Sequence, residues 1–286
     1  MATTTKAEAL PQTAALNLLS VTSACSVAGG EAAPLVYWKL GAAADRAIDS
    51  QQVIQAMLRT GDRPGARKYI VDASEAVAGV ARDRGTRFHD AVEAISLGEA
   101  PKLDEEIEPY IRQWWRWMEK YQPTVLMAEA PVYHPELGYA GTLDGIWELG
   151  DYPRPVVYDY KTTDKPVDAS SRPPYEQAAW QLSAYAHATE VGVLKEQRYS
   201  GRKRYYVYDP TVAHEPLPEV DLEVGLAIIV SPWDIRACPT VIGGSTWESW
   251  QQVLAIAQFR IHQVQHLFRA PLTAPEPSAE RNPLLD

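Results

Sequence analysis

Three runs rich in Val, Tyr, Leu and Thr follow one another between Thr124 and Thr163, and they constrain the fold more than any other feature of the chain. They are Thr124–Tyr133, Tyr139–Leu149 and Val156–Thr163, separated by turn formers at His134-Pro135, Gly138 and Gly150 to Pro155. Such runs, bounded this way, read as strands, and the first two as a hairpin. Asp159 and Lys161 stand two apart on the third strand, so both side chains leave the same face. An acid and a lysine projecting together from a hydrophobic strand are costly to bury without partners. Asp144 lies near the middle of the preceding strand, 15 residues before Asp159. With a turn between them, the two carboxylates can converge on one hard cation, and oxygen ligands of this kind suit Mg²⁺ or Mn²⁺ rather than zinc. A metal in that position supplies the Lewis acid that phosphodiester hydrolysis needs. A lysine beside it can orient or deprotonate the water, or support charge in the transition state.

The segments on either side are mostly helical in pattern. Asn17 to Ser50 reads as a short turn followed by an amphipathic helix. Val80 to Leu97 forms a second helix, with Phe88, Val92 and Ile95 on one face. Asp104 to Tyr121 forms a third, where Tyr110, Trp114, Trp117 and Tyr121 share a stripe that Pro123 closes. Helical spacing of that kind is core more often than a base-stacking platform. After the strands, Pro174–Glu190 returns to helix, Arg204–Tyr208 and Leu226–Val230 are further strands, and Thr246–Phe268 is a long closing helix. The expected fold class is therefore α/β, a central mixed and largely antiparallel sheet flanked by helices. The expected organisation is a loose tail over 1–12, one domain over 13–270 and a second tail over 271–286. Within the domain, a helical part covers 13–123, a metal-binding core 124–190, and the remaining strands and closing helix 191–270.

Composition bounds the partners. The chain has 286 residues, 46% of them hydrophobic, with nine Trp and fifteen Tyr, which is enough for a substantial core. Its net charge of −10 counts against a protein that coats nucleic acid through bulk charge. A metal-dependent nuclease is compatible with that balance, because bound cations offset carboxylates and local basic patches hold phosphates. Only two cysteines occur, Cys25 and Cys238, so a four-cysteine iron–sulfur cluster cannot be assembled within one chain. A reducing cytoplasm is the expected setting. The uncharged run Ala9–Gly30 is too broken by Pro11, Gln12, Asn17, Ser20, Thr22 and Ser23 to read as a secretory leader. No stretch approaches a membrane span.

Asp144 followed by Asp159-Tyr160-Lys161 resembles the PD-(D/E)XK nucleases, and in particular their RecB-like branch, which includes bacteriophage and CRISPR-associated members. The resemblance runs from about Ser20 to Phe268. Leu143 stands where the family's name has Pro, a departure that this branch commonly shows. Arg84-Gly85-Thr86-Arg87-Phe88-His89 is similar to the upstream helical element that carries a metal-binding His. Gln181-Leu182-Ser183-Ala184-Tyr185 matches the downstream Gln-hydrophobic-x-x-Tyr motif. The resemblance implies a restriction-endonuclease-like core and a DNA nuclease, an exonuclease of recombination, repair or phage DNA metabolism. It implies metal binding by His89, Asp144, Asp159 and the backbone carbonyl of Tyr160, water handling by Lys161, and positioning by Gln181 and Tyr185. DNA is the expected partner, and a recombination protein the candidate protein partner.

Several side chains have a plainer alternative. Gln181 and Tyr185, at i and i+4, also suit a structural pair, and His89 a half-buried helix histidine. Glu129, on the strand before Asp144, reads as a strand-end carboxylate rather than part of the site. Arg84 and Arg87 flank His89 and are candidates for phosphate contacts. So is the stretch from Lys195 to Arg204, where Arg202, Lys203 and Arg204 are adjacent, although a charge run is usually a solvated loop. The rival functions are an endonuclease on the same fold and a non-cleaving nucleic-acid-binding or assembly subunit.

Overall fold

The computed structural model describes residues 15–29, 33–167, 176–192, 196–200, 203–263 and 267. Both expected tails and Arg202 lie outside them. In chain order the elements are β1 (Leu16–Ser20), α1 (Val21–Gly29), α2 (Ala33–Asp49), α3 (Gln51–Arg59), α4 (Arg63–Ser96) and α5 (Glu108–Tyr121). Then come β2 (Thr124–His134), β3 (Tyr139–Glu148), β4 (Val156–Thr162), α6 (Glu176–Ala186), β5 (Glu190–Val191) and β6 (Gln197–Ser200). The chain closes with β7 (Lys203–Tyr208), β8 (Glu215–Pro216), β9 (Val224–Val230), β10 (Ile235–Val241) and α7 (Ser245–His262).

These strands form one mixed sheet with the main order β10-β9-β4-β3-β1-β7-β6, and β2 lies along the other edge of β3. The expected β2–β3 hairpin is present, with Tyr133 opposite Ala140 and Ala130 opposite Leu143. β3 and β4 are antiparallel, whereas β4–β9 and β1–β3 are parallel. One helical layer, α1, α6 and α7, covers a core that includes Leu143, Ile146, Leu182 and Trp250. The other face carries α5 and the second half of α4 over Trp147, Tyr158, Tyr160 and Ile228. The mixed α/β class with flanking helices is thus as the pattern of strands and helices indicates.

Several elements differ from the sequence expectation: α3, β5, β6 and β8 were not part of it, and three further differences bear on the site. Leu16–Ser20 is a strand rather than a turn, held by β3 on one side and β7 on the other. Its five residues are too few to show a period, and its partners lie more than a hundred positions away in the chain. β10 was not expected either; it carries Pro239 and sits at the sheet edge, where a missing N–H is tolerated. Helix α4 starts at Arg63 rather than Val80, where Asp62 accepts from the Gly65 N–H at 2.9 Å and Pro64 occupies the first turn. A cap of this kind stabilises a helix by about 1 kcal/mol.

The aromatic stripe on α5 is core. Tyr110, Trp114 and Trp117 are buried, and only Tyr121 is exposed. Trp117 stacks on Trp147 with centroids 4.9 Å apart, and Trp147 on Tyr158 at 3.9 Å. The Trp114 indole N–H donates to the Tyr160 hydroxyl at 2.7 Å, and the Tyr110 hydroxyl to the Thr163 carbonyl at 3.0 Å. Aromatic pairs of this kind contribute about 0.5–1.5 kcal/mol each beyond their buried area. They anchor β4 from the face opposite Asp159 and Lys161.

Candidate metal centre

The site lies where the sheet forks. The first half of β3 pairs with β1 through Tyr139 and Ala140, the second half with β4 from Gly145 to Trp147. Between these pairings no strand among the described residues lies on that edge of β3, and Asp144 fills the gap. Its Oδ2 accepts the Tyr160 N–H at 2.5 Å, so a side chain takes a hydrogen bond that a neighbouring strand would otherwise make.

The facing of the strands also slips here. Leu143 and Ile146 enter the same core cluster although three apart, which strict alternation forbids. On β2, Ala130 and Met127 do the same, and between them Glu129 has a φ of 44°. A non-glycine residue in that region carries strain of about 1 kcal/mol or more. The pairs on either side, Ala128 with Gly145 and Ala130 with Leu143, set Glu129 opposite Asp144, and one position beyond the Gly145–Tyr158 pair Asp144 faces Asp159. Three carboxylates thus form a row across three adjacent strands.

Helix α4 brings His89 to this row. Its Nδ1 lies 3.1 Å from Glu129 Oε1 and 3.5 Å from Asp144 Oδ1. Ligand atoms of His89, Glu129 and Asp144 all fall within 4.8 Å of one another, a spacing suited to one metal ion. On the other side, Lys161 Nζ stands 2.5 Å from Asp159 Oδ2. That oxygen is buried and, among the described residues, accepts no hydrogen bond of good geometry; the Lys161 ammonium is its ion-pair partner. One imidazole and several hard carboxylate oxygens fit Mg²⁺ or Mn²⁺.

The electrostatics are those of a crowded acidic site. Burial pushes the Asp144 carboxyl up to about 7; Asp159 and Glu129 add to the rise, against the cations of His89 and Lys161. At His89, burial opposes the charged ring, but Asp144, Glu129 and Asp159 outweigh it and lift its pKa to about 9. At Lys161, burial likewise opposes the charge, and Asp159 and Asp144 hold its pKa above the ordinary lysine value. The free thiol of Cys25, on α1, is pushed up to about 12, chiefly by burial, while the Lys161 charge beside it acts in the opposite sense.

The remaining candidates fall in different places. Tyr185 is buried, and its ring lies over Gly141, where an added Cβ would stand 2.5 Å from Tyr185 Cε1. Burial, and then the charges of Asp159 and Asp144, raise its pKa well above the usual phenol value. Gln181 is half-buried one turn earlier on the same helix. Tyr160 offers its amide to Asp144, while its phenol points to α5.

The two candidate arginines near His89, Arg84 and Arg87, are otherwise engaged. Arg87 is two positions from His89, about 200° around the helix. It binds Asp83 at 2.8 Å, Asp104 at 2.7 Å and Glu106 at 2.5 Å, so its expected phosphate contact competes with three carboxylates. Arg84 is buried beside the Tyr110 ring, its Nη1 3.9 Å from Asp164 and its Nε without a hydrogen bond. Arg204 donates to Thr22 Oγ1 at 3.2 Å and lies over Tyr206, whose hydroxyl is 2.7 Å from Thr142 Oγ1, two residues before Asp144. Lys203 opens β7 opposite Ser200.

Glu129 is the residue that sequence reasoning left out. The signal was present: one carboxylate inside the apolar run Val125 to Tyr133, paired by the hairpin register with Asp144. Among the described helices none is long and apolar enough to cross a membrane. A search of curated proteins found no match. A family model described as the PD-(D/E)XK nuclease superfamily matches residues 102–266, a span that contains Glu129, Asp144, Asp159 and Lys161.

Proposed function

Because the chain belongs to the PD-(D/E)XK nuclease superfamily, whose members are metal-dependent nucleases, we propose that it is a Mg²⁺- or Mn²⁺-dependent DNA exonuclease of recombination, repair or phage DNA metabolism. One observation carries the nuclease part of this reading. His89, Glu129 and Asp144 converge within 4.8 Å, and the Asp159–Lys161 pair stands on the next strand. The exonuclease part rests on the similarity of the His89 and Gln181-to-Tyr185 elements to the RecB-like branch.

In this reading His89, Asp144 and Asp159, with the Tyr160 carbonyl, hold the cation, and Glu129 joins them from β2. When bound, that cation supplies Lewis-acid stabilisation of charge building on the phosphoryl oxygens. Lys161 is charged at neutral pH, since its pKa is raised rather than lowered. It therefore orients the attacking water and donates to a phosphoryl oxygen, in preference to removing a proton. Asp159 fixes the ammonium at 2.5 Å. Tyr185 and Gln181, on the helix over β3 and β4, position Lys161 and the substrate strand. Arg204 and Lys203 approach from β7 and contact phosphates.

The test is cleavage of end-labelled linear and closed circular DNA with Mg²⁺, with Mn²⁺ and with a chelator. Linear DNA should be degraded from its ends and circles left intact, only with metal. Nicking or linearisation of closed circles assigns an endonuclease instead. No cleavage of any form with either metal overturns the reading.

A further inference from the structure

Helix α4 joins two different regions. Its second half, with Phe88, Ala91 and Val92 buried, packs on the sheet and carries His89. Its first half packs chiefly with α2 and α3. At the far end of this arm, α3 and α4 enclose an open groove of about 770 Å³. Ile54, Leu58, Ile70 and Val71 give it an aliphatic floor, and Leu58 and Val71 are exposed. Arg63 and Arg67 stand on its rim.

Neither guanidinium forms an ion pair among the described residues, in contrast to Arg87, which meets three carboxylates. From Arg59 to Lys68 the chain has four cations and one acid, Asp62, and that acid caps α4. Asp72 also lines the groove and pairs with Lys68 at 2.5 Å, so the positive charge left there is that of Arg63 and Arg67, on a chain of net charge −10. Because Arg63, Arg67 and His89 share one continuous helix, their spacing is set by the helix itself. The two arginines precede His89 by 26 and 22 residues, about 33–39 Å along the axis at ~1.5 Å per residue.

We propose that this groove is a second binding site for the nucleic acid substrate, taking unpaired bases on its aliphatic floor and phosphates on Arg63 and Arg67. The proposal rests on the nuclease reading above. A duplex offers such a groove only its phosphates and leaves the floor unused, whereas a single strand presents both charge and base faces. At a stacked spacing of ~3.4 Å per nucleotide, the arm meets a strand about ten to twelve nucleotides from the metal centre.

The experiment measures fluorescence anisotropy of labelled oligothymidylates of about 6 and about 18 nucleotides, and of an 18-base-pair duplex. Ca²⁺ replaces the catalytic metal, and salt is titrated. Arg63→Ala/Arg67→Ala should weaken the long single strand on the order of ten- to thirtyfold at 0.1 M salt and lower the log–log salt slope by about 1.4. The short strand should be unaffected. Leu58→Ser/Val71→Ser should weaken the long strand with no change of slope, since it removes no phosphate contact.

An unchanged long-strand affinity in the arginine double variant overturns the proposal. Equal weakening of duplex and single strand overturns the role of the floor. Loss of self-association on sedimentation, with DNA affinity intact, assigns the groove to a second copy of the chain. If the wild type neither binds nor cleaves any nucleic acid, the nuclease reading itself fails. If the wild type binds nucleic acid and the arm variants bind every probe as it does, the arm alone is refuted.

Discussion

Replacing Asp144 by Asn removes one negative charge from the centre of the carboxylate row while keeping an oxygen for the Tyr160 N–H. In the metal-free protein this carboxyl is moved from an ordinary value of 3.8 to about 7. Between those limits the folded state binds more protons than the unfolded state, so stability falls as pH rises. The contribution is fully present below pH 3.8 and gone above about 7; at 1.36 kcal/mol per pH unit it is on the order of 4 kcal/mol. His89 acts in the same sense at higher pH. Its folded value of about 9 exceeds the ordinary 6.5, so its contribution is lost between those values. Denaturant unfolding in a chelator, at several pH values from about 5 to 8, should show wild-type stability declining across the range. Asp144→Asn should flatten the decline below pH 7 and be the more stable protein at pH 8, although inactive. Saturating Mn²⁺ should stabilise the wild type and leave the variant nearly unchanged. A variant less stable than wild type at pH 8, with the same pH slope, would refute the reasoning. It would mean that His89 and Lys161 fully compensate the Asp144 charge.

Three further outcomes follow from the same geometry. Asp159→Ala and Lys161→Ala should each reduce cleavage by several orders of magnitude in folded protein, with metal affinity lost only for Asp159→Ala, as calorimetry with Mn²⁺ would register. Glu129→Gly relieves the positive φ and should raise metal-free stability by about 1 kcal/mol; it should also weaken Mn²⁺ binding, and unchanged affinity excludes Glu129 from the centre. Gly141→Ala drives a Cβ to 2.5 Å from the Tyr185 ring. It should destabilise the fold by about 1–3 kcal/mol, while at Gly150, where nothing lies within 4 Å of an added Cβ, the same change should cost little in a thermal melt.

The acids of the site were legible in the chain because two local rules place them. Alternation along β4 puts Asp159 and Lys161 on one face, and turn formers on either side of β3 set Asp144 one strand away. His89 was legible only through resemblance, since nothing local distinguishes a helix histidine that meets a carboxylate from one that does not. Glu129 was read as a strand-end carboxylate because strict alternation governs a regular strand, whereas it lies inside β2 beside His89 and Asp144. The slip of facing at Glu129 and Asp144 is a property of two paired strands, and neither shows it alone. Arg84 and Arg87 show what proximity in sequence leaves open. Proximity to His89 in sequence suggested phosphates, but a helix turns about 100° per residue, which aims Arg87 at Asp104 and Glu106 and Arg84 into the core.

By itself, then, the amino-acid sequence determined what depends on neighbours along the chain. That comprises the three strands from Thr124 to Thr163, the helical stripe of Tyr110, Trp114 and Trp117, and the acid-x-Lys pair with its upstream Asp. Tertiary structure alone decided that Leu16–Ser20 is a strand, because its ladder partners are Tyr139, Ala140 and the residues of β7. It also decided that β1 and β4 part along one edge of β3, leaving Asp144 to take the Tyr160 N–H. Finally, it decided that a helix begun at Asp62 runs unbroken to His89, tying an exposed arginine-rimmed groove to the acids. The division has one physical cause. Period and turn chemistry act over a few residues, whereas strand pairing and charge compensation join residues that the chain keeps far apart.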